Sequence, residues 1–261
     1  MDKREQIARM AQTKEDEILL ARVYERITSA AARNIPAATA FLSKREQMLA
    51  AELLRGQDFA FFGGPAMAER EVCCYVPEYL DESWLTGDEG PIAAVRAVYF
   101  AGDTLTHRDF LGALMGCGIR REAVGDLCLQ PRQCDLFVTA ELAPYLLDNL
   151  TSAGRAHLTL TRIAPSQADR PPQTLQELRV TVSSPRLDRV ISAAFHLSRG
   201  SAADAVAAGR VNLNDLTCLK PDRVVQENDT VSVRGLGKLR VLALGGLTKK
   251  GRLALTLGKY L

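Results

Sequence analysis

Arginine and lysine are concentrated in the last third of the chain. Residues 183–261 carry 13 Lys and Arg against 6 Asp and Glu, a net charge of +7, whereas residues 1–182 carry 20 against 25. The planar guanidinium of arginine can hold a phosphate through two hydrogen bonds. Arg186 and Arg189 share one face of a predicted helix, and Arg199 opens the next helix, whose first N–H groups also attract anions. This pattern indicates a polyanionic partner for the last third.

Further basic side chains follow in the same segment, and a smaller group lies in the middle of the chain. They are weaker candidates for phosphate contacts, because any basic domain also carries charges that are only solvated. For Arg186 and Arg199, the alternative to a phosphate contact is a surface ion pair with Asp188 or Asp204. The other candidates of the last third are Arg210, Lys220, Arg234, Lys238, Arg240, Lys249, Lys250 and Arg252. A second patch is predicted from His107, Arg108, Arg120 and Arg121.

Two tripeptides resemble catalytic motifs but lack the residues that accompany them. His107-Arg108-Asp109 matches the kinase catalytic-loop tripeptide, but Leu114 stands where that loop places a metal-binding Asn. Arg186-Leu187-Asp188 is similar to the catalytic tripeptide of some pseudouridine synthases, but Arg-Val-Ile follows it on an amphipathic helix. We therefore predict that Asp109 caps a helix, that Asp188 positions an arginine, and that the protein is not an enzyme.

Composition and cysteine spacing exclude several other classes of protein. The six cysteines include no Cys-x2-Cys pair, so we expect reduced, mostly buried thiols, no metal and no small-molecule cofactor. No apolar run approaches the roughly 20 residues of a membrane span. The first residues, Met-Asp-Lys-Arg-Glu-Gln, lead into no apolar segment of the secretory type. We predict a cytoplasmic protein without a membrane segment.

The predicted elements form an α+β protein that begins with helices. Thr13 with Asp16 and Ser43 with Glu46 make capping boxes, so residues 1–70 are predicted as a helical hairpin. Residues 71–165 contain strands and helices in the order βαββαβ, which is the order of the ferredoxin-like plait. This plait serves RNA-binding modules and enzymes alike, so the fold alone does not decide the function.

The end of the chain is predicted as a linker and a compact basic domain. Residues 166–182 are rich in Pro, Ser and Gln and have little apolar periodicity, so we interpret them as a linker. In residues 183–261, two short helices with apolar faces lead into a small twisted sheet. The basic candidates above are distributed over this domain.

The order of motifs in the basic domain resembles the S4-type RNA-binding domain. The residues that carry the resemblance are Arg186-Leu187-Asp188, Phe195, Ser198-Arg199, Ala202, Gly209-Arg210-Val211, Asn214, Lys220-Pro221, and Asp229 to Gly235. The middle of the chain narrows the resemblance to the bacterial YlmH family. It does so through Phe62-Gly63-Gly64, Thr106 to Gly112, Gly118 to Glu122, Gly125-Asp126, and Thr248 to Arg252 near the end of the chain.

This resemblance implies an N-terminal helical region, an RRM-like central domain, a C-terminal S4 domain and a non-enzymatic role. Relatives bind the large ribosomal subunit where it meets transfer RNA, and they are implicated in the rescue of stalled nascent-chain complexes. We therefore expect a monomer that docks through its S4 domain on ribosomal RNA or transfer RNA of the large subunit, in ribosome-associated quality control. Two alternatives remain, an RNA-modifying enzyme that the S4 domain targets and an adaptor protein linked to cell division.

The strands of the middle domain lack the aromatic residues on which RRM proteins stack single-stranded bases. Val95, Ala97, Leu136 and Val138 occupy central strand positions where Phe or Tyr is expected. We therefore predict that the middle domain does not read single-stranded bases.

Overall fold

The computed structural model describes residues 3–65, 68–81, 83–168, 175–248 and 251–260. The chain forms two compact units, Met1–Pro171 and Pro172–Leu261. Within the described ranges, no helix is both long and apolar enough to cross a membrane.

The first unit opens with three helices and a small antiparallel sheet. In chain order the elements are α1 (Lys3–Met10), α2 (Lys14–Arg33), β1 (Ala37–Leu42), α3 (Lys44–Leu53), β2 (Ala60–Phe62) and β3 (Glu71–Tyr75). The strands lie in the order β1-β3-β2, and both pairings are antiparallel. Helices α2 and α3 cover one side of this sheet with apolar side chains, among them Val23 and Ile27 of α2.

Capping boxes fix the starts of α2 and α3, which confirms this part of the sequence prediction. The Asp16 carboxylate accepts a hydrogen bond from the backbone N–H of Thr13 at 3.2 Å, and the Glu46 carboxylate accepts one from Ser43 at 2.6 Å. Each bond satisfies an N–H that the helix itself leaves without a partner. Asn34 ends α2 with a φ of 52°, a left-handed conformation that Asn tolerates better than most residues.

The prediction of a helical hairpin for residues 1–70 is incomplete. β1 lies between α2 and α3, and its partner β3 begins at Glu71, so the first sheet continues past the predicted boundary. Ala37–Leu42 shows no alternation of polar and apolar residues, so its periodicity does not reveal a strand. Its pairing with a distant segment forms the strand, and that contact is not visible in local sequence.

The second part of the first unit has the predicted βαββαβ order. The elements are α4 (Ser83–Thr86), β4 (Ile92–Val98), α5 (His107–Gly116), β5 (Val124–Gln130), β6 (Gln133–Thr139), α6 (Ala143–Asn149), β7 (Ser152–Ala153), β8 (Ala156–His157) and β9 (Thr159–Ile163). The main sheet has the antiparallel order β5-β6-β4-β9. The short strands β7 and β8 form a separate hairpin before β9.

Both faces of this main sheet pack against other elements around its centre. On one face, Val95 and Leu136 pack against Phe110 of α5. On the other face, Phe137 packs in one cluster with Phe41 of β1 and with residues of β3. The two sheets of the first unit therefore share a core, which explains why residues 1–70 and 71–165 do not separate into two compact units.

The second unit consists of two helices on a six-stranded sheet. Its elements are β10 (Leu175–Val182), α7 (Leu187–Phe195), α8 (Arg199–Ala207), β11 (Val211–Leu213), β12 (Leu216–Thr217), β13 (Thr230–Val233), β14 (Gly237–Leu247) and β15 (Leu253–Tyr260). The strand order is β10-β15-β14-β13-β11-β12. Val190 and Ile191 of α7, Ala202 of α8 and Val231 of the sheet lie in its core.

The predicted linker over residues 166–182 is too long. Leu175–Val182 forms β10, and every residue of this strand pairs with β15, from Leu175 with Tyr260 to Val182 with Leu253. Residues 169–174 lie outside the described ranges. Leu178, Val180 and Val182 alternate with polar residues as expected for a strand with one buried face, a signal that the Pro-rich and Gln-rich composition around it obscured.

Candidate nucleic-acid interface

Arg186 stands at the start of α7, and its charge is matched within the protein. Its Nε and Nη2 donate hydrogen bonds to the two carboxylate oxygens of Asp188 at 3.1 and 2.9 Å. Asp188 also accepts the backbone N–H of Arg189 at 2.9 Å. Hydrogen bonding to Asp188 raises the pKa of Arg186 above its ordinary value. Asp188 therefore positions an arginine, as the sequence predicted.

Four other predicted cations also have partners inside the second unit. Such contacts orient a side chain, and only the one with a carboxylate also compensates its charge. The contacts are those of Arg189 with the hydroxyls of Ser183 and Ser184, Lys238 with the carboxylate of Asp215, Arg240 with the side-chain oxygen of Asn228, and Arg252 with the carbonyl of Thr181.

Four predicted cations are exposed and carry unmatched charge. The side chains of Arg199, Arg210, Lys220 and Arg234 form no hydrogen bond or ion pair within the described part of the chain. Arg199 is the first residue of α8, where Ser198 accepts the backbone N–H of Ser201 at 3.0 Å. A cation without a competing carboxylate can bind a phosphate at a lower cost than one that must first break an ion pair.

The fold brings some of these exposed cations together in pairs. Arg210 directly precedes β11, and Arg234 directly follows β13. The backbone N–H of Arg234 donates to the carbonyl of Arg210 at 2.9 Å, so these two arginines are neighbours. The N–H of Arg223 donates to the carbonyl of Lys220 at 3.1 Å in a turn. Arg223 is also exposed and its side chain has no partner among the described residues, but it was not among the predicted cations. Only its charge could have indicated it.

Two predicted residues of this unit, Lys249 and Lys250, lie outside the described residues. They belong to the connection between β14 and β15, which Thr248 and Arg252 flank. The backbone N–H of Thr248 donates to the carbonyl of Arg252 at 2.7 Å, so the described ends of this connection lie close together.

The four residues predicted as a second patch in the first unit fall into two settings. All four side chains are exposed, and those of His107 and Arg121 also contact backbone carbonyls of β5. Partial burial lowers the pKa of Arg121, although the side chain stays accessible. The contacts are His107 with the carbonyl of Leu127 at 3.0 Å, Arg121 with that of Val124 at 2.5 Å, and Arg120 with the carboxylate of Glu122 at 3.3 Å.

In the first unit, other elements cover the centre of the sheet face that RRM proteins use for base stacking. Val95, Ala97, Leu136 and Val138 face α5 and α6, so the prediction drawn from these positions concerned the helix-covered side of the sheet, which is not the stacking side. The opposite face, which contains Phe137, is covered by β1 and β3. Stacking of single-stranded bases requires an open face with aromatic side chains.

The carboxylates of the two enzyme-like tripeptides have structural roles. Asp109 accepts hydrogen bonds from the backbone N–H and the hydroxyl of Thr106, both at 2.7 Å, and these bonds lower its pKa. This confirms the predicted cap of α5. Within the described residues, no three His, Cys, Asp or Glu side chains are placed to hold a metal ion.

The thiols are mostly buried, as the cysteine spacing led us to expect. Cys73, Cys74, Cys128 and Cys134 are buried, and burial raises the pKa of Cys73 to about 12. A thiol in such a setting is not a reactive nucleophile.

Comparison with known proteins places the chain in a family. Residues 98–167 match the family described as "Putative RNA-binding domain in YlmH". The chain is 32% identical over 220 residues to "Ribosome-associated protein quality control protein P2" of Bacillus subtilis (strain 168), which covers 84% of this chain and 85% of that relative. The solved structure "Cell division protein ylmH from Streptococcus pneumoniae" superposes with a TM-score of 0.49 at 17% identity, over 61% of this chain and 98% of that one. The extent of the match to the Bacillus subtilis protein shows that this chain belongs to the YlmH family.

Proposed function

We propose that this protein binds structured ribosomal RNA of the large subunit, or the transfer RNA bound there, and acts in the rescue of stalled nascent-chain complexes. The name of the Bacillus subtilis relative and the description of the matched family support a ribosome-associated, RNA-binding role. The observation that carries the proposal is the group of exposed, unmatched cations of the second unit, Arg199, Arg210, Lys220 and Arg234.

The second unit is assigned the role of an S4-type domain. Its two helices, α7 and α8, follow β10 and precede strands β11 to β15, an order that supports this role. Arg199 combines a guanidinium with the free N–H groups at the start of α8, and both favour a phosphate. Folded RNA is read largely through the shape and the charge of its backbone, so a fixed array of cations is sufficient for docking.

The first unit, with its RRM-like sheet, is assigned no base-reading role. The face that carries Phe137 is buried against β1 and β3, so opening it for RNA would cost the apolar contacts of that cluster. We propose that this unit orients the protein on its target.

Catalysis is not part of the proposal. Asp109 and Asp188, the carboxylates of the two enzyme-like tripeptides, both accept hydrogen bonds that stabilise a helix start. A monomer in the cytoplasm that needs no metal or cofactor is consistent with this role.

The proposal is tested by sedimentation of the full chain with purified large ribosomal subunits at several salt concentrations. We expect the wild type to travel with the subunits and to dissociate as salt rises, because phosphate contacts release counterions. Arg199→Glu should bind more weakly, with a salt dependence reduced by about one released ion or more.

Arg179→Glu provides a matched control, since it makes the same change in charge in the same unit. Arg179 lies on β10 and forms an ion pair with Glu177 at 2.9 Å, so its charge is already compensated. If Arg199→Glu and Arg179→Glu weaken binding equally, the loss comes from the change in net charge, and the assignment of Arg199 to the docking surface is wrong. If the wild type does not sediment with the subunits, the ribosomal target is wrong.

A further inference from the structure

The first unit contains an open cleft between α2 and β1 that the sequence analysis did not identify. Its volume is about 980 Å³, and residues of α2, β1 and the turn before β5 line it. All of these lie in the first unit, so the cleft does not depend on the cations of the second unit. Two arginines from other segments, Arg70 and Arg121, reach its wall.

Arg70 and Arg121 converge on one carbonyl oxygen. Nε of Arg70 lies 3.0 Å from the carbonyl oxygen of Val124, and Nη1 of Arg121 lies 2.5 Å from the same oxygen. Nη2 of Arg70 also donates to the carbonyl of Phe41 in β1 at 2.8 Å. These carbonyls hold both guanidiniums in place without neutralising them, because a carbonyl carries no net charge.

The two guanidiniums face each other without a carboxylate bound to either. Burial lowers the pKa of Arg70 first, and the charge of Arg121 lowers it further. Glu46 favours the charge of Arg70, and Asp126 favours the charge of both guanidiniums; the oxygens of Asp126 accept the backbone N–H groups of Glu69 and Arg70 at 2.8 and 3.0 Å. Among the described residues, neither guanidinium forms an ion pair. An anion in the cleft would relieve this repulsion.

Helix α2 extends the positive charge along the cleft. Arg22, Arg26 and Arg33 line it together, as their spacing of four and seven residues requires for one helix face. All three side chains are exposed. Eleven residues of helix correspond to about 16 Å, which is the length of several consecutive phosphates rather than of one ion.

The acidic residues of the cleft do not cancel this charge. Five acidic residues line the cleft, and the carboxylates of three of them already accept hydrogen bonds or form ion pairs. In two of these three cases the partner is an arginine outside the cleft. Glu15 and Glu25 remain exposed on α2. The engaged acids are Asp16 with Arg45 at 2.6 Å, Glu122 with Arg120 at 3.3 Å, and Glu46 with the backbone N–H of Ser43 at 2.6 Å.

We propose that this cleft binds the phosphodiester backbone of RNA and gives the first unit an RNA contact of its own. The proposal rests on the proposed function for the presence of RNA, and it adds a second surface to it. Five arginines along an open groove suit a chain of phosphates, because each guanidinium can hold one phosphate bidentately while the bases point away. Such a contact reads no sequence and adds affinity and orientation.

The test measures binding of the full chain to a fluorescein-labelled RNA hairpin by fluorescence anisotropy over a salt series. We expect Arg22→Glu/Arg26→Glu to weaken binding about tenfold at low salt and to lower the salt slope by about two. Both residues are exposed, and the fluorescence of Trp84 in the same unit reports whether the variant folds. Arg22→Lys/Arg26→Lys keeps the charge but lacks the planar fork, so it should recover only part of the affinity.

The control is Arg55→Glu/Arg155→Glu, which makes the same change in charge at exposed arginines outside the cleft. Arg199→Glu, in the same assay, separates this proposal from the proposed function. If only Arg199→Glu weakens binding, or if the cleft variant and the control behave alike, the cleft proposal is overturned. If only the cleft variant weakens binding, the cleft proposal stands and docking through the second unit fails. If the wild type does not bind, both fail.

Discussion

The guanidinium of Arg186 forms two hydrogen bonds with the carboxylate of Asp188, at 3.1 and 2.9 Å, across the first turn of α7. The side chain of Asp188 is only 13% exposed, so protein contacts at the start of the helix hold this carboxylate in place. A phosphate that approaches Arg186 has to compete with it. Of the two leading candidates from the sequence, Arg186 is therefore partly neutralised, and Arg199 carries the freer charge.

Removal of the Asp188 charge is expected to strengthen RNA binding. Asp188→Asn keeps an oxygen that can accept the N–H of Arg189, but it releases the guanidinium of Arg186 from its ion pair. We expect affinity for an RNA hairpin to rise about threefold to tenfold at low salt, measured by fluorescence anisotropy. Asp204→Asn is the control, because Asp204 is exposed on α8 and the variant makes the same change in net charge. An equal gain in both variants would show that Arg186 has no special position.

Local signals in the sequence predicted much of the framework. Thr13 with Asp16, Ser43 with Glu46 and Thr106 with Asp109 lie within three residues of each other, and each pair caps a helix as predicted. The βαββαβ order also followed from local periodicity. These features depend on neighbours in the chain, which a sequence displays directly.

Features set by distant contacts were not predictable in this way. The strand over Ala37–Leu42 exists because it pairs with β3, and Arg70 and Arg121, which are far apart in the sequence, meet in the wall of the cleft at Val124. Charge alone could not distinguish Arg186, which has a carboxylate partner, from Arg199, which has none. The side of the sheet that faces α5 was also assigned wrongly, because alternation gives two faces without saying which element covers each.

The ion pair between Asp16 and Arg45 is expected to make the first unit sensitive to acid. Hydrogen bonding to Arg45 lowers the pKa of Asp16 from 3.8 to about 2. The charged form is therefore favoured in the folded state, and its contribution is complete above pH 3.8 and disappears as the pH falls toward about 2. At neutral pH, Asp16→Asn should lower the free energy of unfolding by about 2 kcal/mol.

Urea unfolding followed by Trp84 fluorescence measures this effect, since the only tryptophan of the chain lies in the first unit. The difference in the free energy of unfolding between wild type and Asp16→Asn should shrink as the pH falls from 3.8 to about 2. Arg45→Gln is the complementary variant and should show the same pH dependence. A difference that stays constant down to pH 2 would exclude ionisation of Asp16 as its source.

Two glycine substitutions in the first unit are expected to have opposite effects on stability. A Cβ on Gly125 would lie 2.5 Å from the ring of Phe41, in the core that the two sheets share, whereas a Cβ on Gly112 of α5 would meet nothing within 4 Å. Gly125→Ala should therefore destabilise by about 1–3 kcal/mol through overpacking. Gly112→Ala should stabilise by up to about 1 kcal/mol, because alanine favours a helix interior. Urea midpoints that move in the same direction would contradict the close packing of β1 on the main sheet.

Loss of one partner of the Arg96–Asp135 ion pair is expected to destabilise the protein strongly, whereas replacement of both residues together is expected to cost much less. The two residues lie opposite each other on β4 and β6, and their bonds of 2.7 and 2.8 Å join a guanidinium to a carboxylate with no exposed surface. Asp135→Ala leaves a largely buried guanidinium without this partner, so it should cost about 3–5 kcal/mol. The double variant Arg96→Met/Asp135→Leu removes both charges and fills the space, so it should cost much less than the sum of the single variants. A double-mutant cycle by urea unfolding gives the coupling energy, and a value near zero would mean that solvent screens the pair in spite of its burial.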